Sequence, residues 1–270
     1  MVPWKSVASV NTKGRTITVR PFDVSECVFA SLPVPLPYPW EVADTSHLVI
    51  GSGEVGTSLH AVLKSTFGDL AAIRDVEPVE GQYDVIHVCI PWSESFVDTV
   101  HRYADDHRAS MVIVHSTVPV GTCDDNGWVH SPVRGRHPNL YEGLMFFVKH
   151  VGGRNAECAA ELLSKCGMVT EIHDKASTTE AGKLWELVQF GIQVAIQKDV
   201  YAWCDENGLD GNEVYAGFAM TYNDGYRRLG EDRFTRPVIR PEADPKIGGH
   251  CVTANAEHLD HPWAKIIRGR

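Results

Sequence analysis

Leu48-Val49-Ile50-Gly51-Ser52-Gly53-Glu54-Val55-Gly56 opens the regular part of this chain. An apolar triplet runs straight into three glycines spaced Gly-x-Gly-x-x-Gly, and the residues from Glu54 to about Phe67 suit a helix. Three glycines in six residues are a weak signal alone; a strand before them and a helix after them give them meaning. The first glycine permits a tight turn, the second lets backbone approach a pyrophosphate, and the third lets the helix pack on the strand. The helix N-terminus supplies N–H groups and positive potential. Gly51, Gly53, Glu54, Val55 and Gly56 are therefore the candidate cofactor loop. Asp75 ends the next apolar run, Leu70–Arg74, 19 residues after Gly56. A carboxylate there can bind the adenosine ribose hydroxyls and repel a 2′-phosphate, which favours NAD over NADP. Neighbouring Arg74 pulls the other way, because an arginine can accept that phosphate.

Working outward, apolar strands are expected at Tyr83–Ile90, which ends beside Pro91, and at Met111–His115, with a helix over Ser93–His107. Apolar strands alternating with helices imply parallel pairing through right-handed crossovers. Further strands are expected at Trp128–Ser131, Phe146–Val151 and Met168–Ile172, with a helix at Ala156–Cys166. Ser177-Thr178-Thr179-Glu180 reads as a capping box, after which Leu184, Leu187, Val188, Ile192, Ala195 and Ile196 recur at helical spacing. This helix, 178–206, ends at Asn207-Gly208 and is ~40 Å long at 1.5 Å per residue. A helix of that length offers a face for homodimerisation. The remainder reads as short helices. The expected fold is α/β: an N-terminal Rossmann domain with a doubly wound parallel sheet, then a small all-α domain built on the long helix. The boundaries are 1–46 for an N-terminal extension, 47–176 for the NAD-binding domain and 177–270 for the helical substrate and dimerisation domain. The extension holds a strand at Thr16–Arg20 and a polyproline-like arm with Pro33, Pro35, Pro37 and Pro39.

Composition narrows the function. At 43% hydrophobic and 22% charged, the 270 residues are ordinary for a globular protein. There is no apolar run of spanning length and no signal-peptide core, so neither a membrane nor secretion is expected. A net charge of −10 from scattered acidic residues argues against a nucleic-acid partner. Seven cysteines without a Cys-x-x-Cys pair read as reduced thiols in the cytoplasm.

A second motif, His115-Ser116-Thr117-Val118-Pro119-Val120-Gly121-Thr122, follows the strand at Met111–His115. Hydroxyls at the carboxyl end of a parallel strand meet cofactor or substrate, which makes Ser116 and Thr117 candidates. Glu180-x-x-Lys183 opens the long helix, and Gly248-Gly249-His250-Cys251 comes later. In this order and at these separations the four motifs resemble the UDP-glucose/GDP-mannose dehydrogenase family, itself similar in fold to the 6-phosphogluconate and 3-hydroxyisobutyrate dehydrogenases. The resemblance spans about residues 47–260. It implies oxidation of a sugar's primary alcohol to a carboxylate by two hydride transfers to NAD, with the intermediate held as a thiohemiacetal on Cys251. Lys183 would stabilise oxyanion charge and Thr117 would position substrate or water.

The chain departs from the family where Leu187 replaces an asparagine and Asn255 replaces an aspartate. The family's Ser-Pro-Glu becomes Ser131-Pro132-Val133-Arg134-Gly135-Arg136-His137. His137 can stand in as acid or base, and Arg134 and Arg136, with Asn255, are the candidate contacts to a small, anionic substrate. The sequence stops near the point where family members continue into a nucleotide-sugar-binding domain, implying either a partner that closes the site or a smaller substrate. Two alternatives stay open: a single-step hydroxyacid-type dehydrogenase, and a catalytically decayed NAD-binding subunit. His250, Cys251, His258 and His261 fit no usual zinc spacing, and no metal is expected.

Overall fold

The computed structural model of the chain describes residues 8–12, 15–19, 44–77, 79–135, 137–138, 140–239, 247 and 249–268. They belong to two compact units, Met1–Pro39 and Trp40–Arg270. In the first, β1 (Ala8–Thr12) pairs antiparallel with β2 (Arg15–Val19), Ala8 opposite Val19 and Thr12 opposite Arg15. β2 is the strand expected at Thr16–Arg20. Its partner went unread because Ala8 and Asn11 are types depleted in strands. The proline-rich arm lies outside the described residues.

The second unit begins with β3 (His47–Ile50), α1 (Glu54–Phe67), β4 (Ala71–Arg74), β5 (Val85–Val88), α2 (Phe96–Asp106), β6 (Met111–Val114) and α3 (Thr122–Asn126). It continues through β7 (Val129–His130), α4 (Leu140–Phe146), β8 (Lys149–Gly152), α5 (Ala156–Lys165), β9 (Thr170–His173) and the long helix α6 (Ala176–Glu206). The seven strands lie in the order β4-β3-β5-β6-β7-β8-β9. Every pair is parallel except β7 with β8. All four residues of β3, β5 and β6 are buried, as expected for strands covered on both faces. On one face Leu48, Ile50, Ile86, Val88, Val112 and Val114 pack on Phe96 and Val100 of α2. The chain runs from β3 outward to β4, then returns past β3 to β5. The sheet therefore reverses direction between β3 and β5, directly beside the glycine turn, where open α/β sheets bind ligands.

Two expectations fail locally. The strand predicted over Phe146–Val151 starts only at Lys149, because Leu140, Gly143 and Leu144 bury at helical spacing and wind the preceding segment into α4. Phe146, at its end, is 84% exposed. The capping box predicted at Ser177–Glu180 does not form: α6 already starts at Ala176, and the N–H groups of Ala176 and Ser177 donate to the Asp124 carboxylate at 2.9 and 3.0 Å. A cap supplied from 52 residues away leaves Glu180 free for another task. The expected C-terminal stop holds, with Asn207 as cap and Gly208 at φ +66°.

Beyond α6, a π-helical stretch (Asn212–Gly217), α7 (Phe218–Arg228), α8 (Gly249–Asn255) and α9 (Pro262–Arg268) make the expected short helices. A second core joins Val188, Val194 and Ala195 of α6 to Val252, Ala264 and Ile267. A Cβ on Gly191 would come within 2.7 Å of Val252 and 2.9 Å of Ile267, so α8 and α9 close onto α6 where it has no side chain. That approach fixes the position of Cys251, the neighbour of Val252. Among the described residues no helix is long and apolar enough to cross a membrane.

Candidate active site

The glycine loop has the backbone its sequence demands. Gly51 sits at φ +103°, and a Cβ on Gly56 would fall 1.8 Å from the Gly51 carbonyl oxygen, so helix and turn meet only without a side chain. Gly53 is the N-cap of α1; no side chain caps the helix there, and a Cβ on Gly53 would meet nothing within 4 Å. Asp75 is exposed at the end of β4 and accepts a 2.6 Å bond from the Ser52 hydroxyl, which ties it to the glycine loop. Arg74 is committed elsewhere, its guanidinium 4.6 Å above the Tyr103 ring and 3.5 Å from His107. Val55 is partly buried behind the loop and Pro91 is exposed after β5. Ser116 donates to the Ile90 carbonyl at 2.6 Å, which joins the loop after β6 to the end of β5 and leaves partly buried Thr117 next in the chain.

The thiol of Cys251 is exposed on α8, with its Sγ 3.4 Å from Nε2 of His137. The other ring nitrogen of His137 lies 2.5 Å from Oε2 of Glu54, the first residue of α1. A proton on Nδ1, donated to the carboxylate, leaves Nε2 bare and able to accept the thiol proton. Three segments far apart in sequence thus form a thiol–imidazole–carboxylate chain that ends on α1. The second oxygen of Glu54, Oε1, is buried and has no hydrogen-bond partner among the described residues.

Glu180 and Asp124 exchange caps. Glu180, fully buried in the first turns of α6, accepts from the N–H groups of Gly121 at 2.6 Å and Cys123 at 2.8 Å, which head α3. Asp124 of α3 in return caps α6. Desolvation opposes ionisation of Asp124, but its bonds from Ser177 and Ala176 and nearby Lys175 outweigh that and hold it below the usual carboxylate range. This exchange is the physical link between two motifs read separately in the sequence, and it places Lys183 one turn further along α6. Burial lowers the pKa of the Lys183 amine, while Glu186 and Cys251 favour its charged form. Lys183 and Glu186 line a cavity of about 420 Å³ together with Pro132 and Arg134.

The remaining predicted residues divide. Arg134 donates Nε and Nη2 to Glu186 at 3.1 and 2.8 Å, so its charge is already paired. Arg136 lies outside the described residues. Asn255 turns its amide onto the Cys251 carbonyl at 2.7 Å, inside its own helix, and Leu187 packs against the helical core. Those are apolar and structural uses of positions that the resemblance made polar and chemical. The sequence reading gave Glu54 to the cofactor only; its bond to a histidine 83 residues away has no local signature.

A row of buried histidines also went unread. His47 Nδ1 lies 3.0 Å from His87 Nε2, and His87 Nδ1 lies 3.0 Å from His115 Nε2, a diagonal chain across β3, β5 and the end of β6. Lys149 closes it, 3.2 Å from His115 and bonded to the carbonyls of Ser131 and Pro132, with burial pushing its amine down to about 7. Alternation of His47 and His87 within apolar strands was the available signal.

No protein-family model and no curated protein matches the sequence. Solved structures do. The UDP-D-ManNAc dehydrogenase of Pyrococcus horikoshii superimposes with a TM-score of 0.65 at 15% identity, over 83% of this chain and 67% of that one. The NDP-N-acetyl-D-galactosaminuronic acid dehydrogenase of Methanosarcina mazei Go1 gives 0.58 at 16% identity, over 83% and 65%. The 3-hydroxyisobutyrate dehydrogenase of Mycobacterium tuberculosis gives 0.58 at 14%, over 83% and 91%. The chain therefore has the fold of these dehydrogenases, a Rossmann sheet followed by a helical region, and spans about two thirds of the length of the sugar dehydrogenases.

Proposed function

We propose that this chain is an oxidoreductase that binds NAD on the glycine loop and oxidises the alcohol of a small hydroxyl-bearing substrate, with Cys251 as the covalent site. The observation that carries the proposal is the Cys251–His137–Glu54 chain, which joins a nucleophile to the first residue of the dinucleotide helix. The residues present fit the cofactor: the cradle between Gly51 and Gly56 excludes a Cβ, the uncapped N-terminus of α1 can receive a pyrophosphate, and Asp75 can take the ribose hydroxyls. The engagement of Arg74 with Tyr103 and His107 supports NAD over NADP. When bound, the nicotinamide accepts hydride from the substrate carbon.

The chain's own residues do the rest. His137 takes the Cys251 proton through Nε2, and Glu54 stabilises the imidazolium that results, as a carboxylate orients and supports a histidine in other nucleophile–base pairs. Once the first hydride loss has made the aldehyde, the thiolate adds to its carbon and the Lys183 ammonium stabilises the oxyanion of the thiohemiacetal. Loss of a second hydride from that carbon would leave a thioester on Cys251, which water cleaves to the carboxylate and the free thiol. Ser116 and Thr117 order the loop on which substrate and cofactor meet. The exposed Trp185, Ile196 and Trp203 share one face of α6 and support pairing with a second copy along this helix. Six described cysteines without a disulfide support a reducing, cytoplasmic setting.

The test is turnover of NAD with a panel of nucleotide sugars and small hydroxy acids, scored for reduced cofactor per substrate. Two NADH per substrate, abolished in Cys251→Ala, is the expected result. One NADH per substrate, retained in Cys251→Ala, replaces the covalent route with single-step hydride transfer. Cofactor binding without turnover of any substrate, unchanged by Cys251→Ala, would overturn the catalytic reading.

A further inference from the structure

His150 lies on β8, and Glu171 and His173 on its parallel neighbour β9. His150 stands directly opposite Glu171 in the register, and His173 follows two residues on. Side chains two apart on a strand share a face, so pairing alone puts all three on one side of the sheet. There Nδ1 of His150 and Nε2 of His173 are 3.0 Å apart, and Oε1 of Glu171 is 3.9 Å from the first and 3.6 Å from the second. A point equidistant from the three atoms is about 2.1 Å from each, the length of a bond from a first-row divalent ion to imidazole nitrogen or carboxylate oxygen. Two imidazole nitrogens facing each other at 3.0 Å cannot both carry protons, so at least one of them is already a bare lone-pair donor.

We propose that His150, Glu171 and His173 bind a divalent transition-metal ion of the Zn²⁺ class. Two imidazoles and one carboxylate are the donor set such ions select, and oxygen-only cations such as Mg²⁺ are poorly served by it. The site opens on the cavity of about 420 Å³ that both histidines help to line, opposite Thr178, Gly182 and Lys183 of α6. Three protein ligands would leave coordination positions vacant, and the two histidines place the ion beside the cavity. The ion would thus present itself to oxygen ligands, carboxylate or hydroxyl, of a molecule held there. No local spacing announces this set: His150 and Glu171 are 21 residues apart and meet only because β8 and β9 pair. The inference is independent of the dehydrogenase reading, because ion binding is measured without turnover.

The experiment is a calorimetric titration of tag-free, chelator-stripped protein with Zn²⁺, repeated with Co²⁺ under absorbance. One ion per chain should bind, with affinity about 100-fold weaker in His173→Ala and at least 10-fold weaker in Glu171→Gln, which keeps the side-chain shape. Cys251→Ser should leave the titration unchanged. Circular dichroism of each variant establishes that it is folded; if His173→Ala is not, His150→Asn takes its place. Absence of saturable binding, or binding of equal strength in both ligand variants, would overturn the proposal. So would loss of the ion in Cys251→Ser, which would assign it to the exposed thiol.

Discussion

Two sets of histidines divide this molecule. His47, His87, His115 and His130 are at most 3% exposed and touch mainly one another, Lys149 and backbone carbonyls. His150 and His173 lie on β8 and β9 at the sheet edge and His137 is exposed beside α1; each has a glutamate within reach, although burial still lowers His150. Burial drives the first set to the neutral form: His47 falls to about 4 and His130 to about 3, and His87 and His115 are also pushed far down. Desolvation penalises the imidazolium there, and nearby Lys149 adds to the penalty for His87, His115 and His130. At the edge, carboxylates supply the partner a charged or proton-accepting imidazole needs. The same side chain is thus a structural crossbeam in one place and a chemical group in the other, and only its surroundings distinguish the two.

The largest effect expected from this contrast is on acid stability. A histidine with a depressed folded value contributes stability that is complete above the unfolded value near 6.5 and is lost as pH falls toward the folded one, at about 1.4 kcal/mol per pH unit. Between pH 6.5 and 5 most carboxylates remain ionised, so these histidines dominate: His47 and His130 together remove on the order of 3 kcal/mol, and His87 and His115 act in the same direction. The urea midpoint at pH 5 should be less than half its value at pH 7; a flat profile would mean that the chain is solvated. His87→Ala comes next, because it opens a cavity and strands His47 and His115 at once, and should cost about 3 kcal/mol at pH 7 by urea melts. His137→Ala should cost under about 0.5 kcal/mol, since the residue is exposed. It should instead slow alkylation of Cys251 at pH 7 by about 10-fold or more, with Glu54→Gln intermediate, as followed by mass spectrometry. A His137→Ala protein that alkylates at the wild-type rate would reduce the edge histidine to a surface residue. Outside both histidine sets, Asp124→Ala, which uncaps α6, should lower stability by about 1 kcal/mol by thermal melting.

The parts legible in sequence were those with a local cause. Apolar runs at 48–50 and 111–114 announced buried parallel strands, and Asn207-Gly208 announced the end of α6, because period and backbone freedom are properties of a few adjacent residues. The glycine loop was readable for the same reason, and so was Cys251 once its motif was seen. The capping box was misread because Ser177-Thr178-Thr179-Glu180 has the right types in the right order, yet a carboxylate from α3 reaches the helix N-terminus first. Asn255 shows the same limit: its type was plain, but whether an amide faces substrate or its own helix depends on what lies opposite.

Local sequence was enough for the alternation of strands and helices, the glycine turn after β3 and the residue types available for chemistry. Tertiary structure alone decided the partnerships: Glu54 with His137 and Cys251, Glu180 with the head of α3, His150 with Glu171 and His173, and one buried imidazole with the next. Secondary structure follows from torsions and burial along a short stretch, whereas a proton chain or a ligand set needs atoms within about 3 Å. Only strand register and helix packing bring residues 20 to 114 positions apart to that distance.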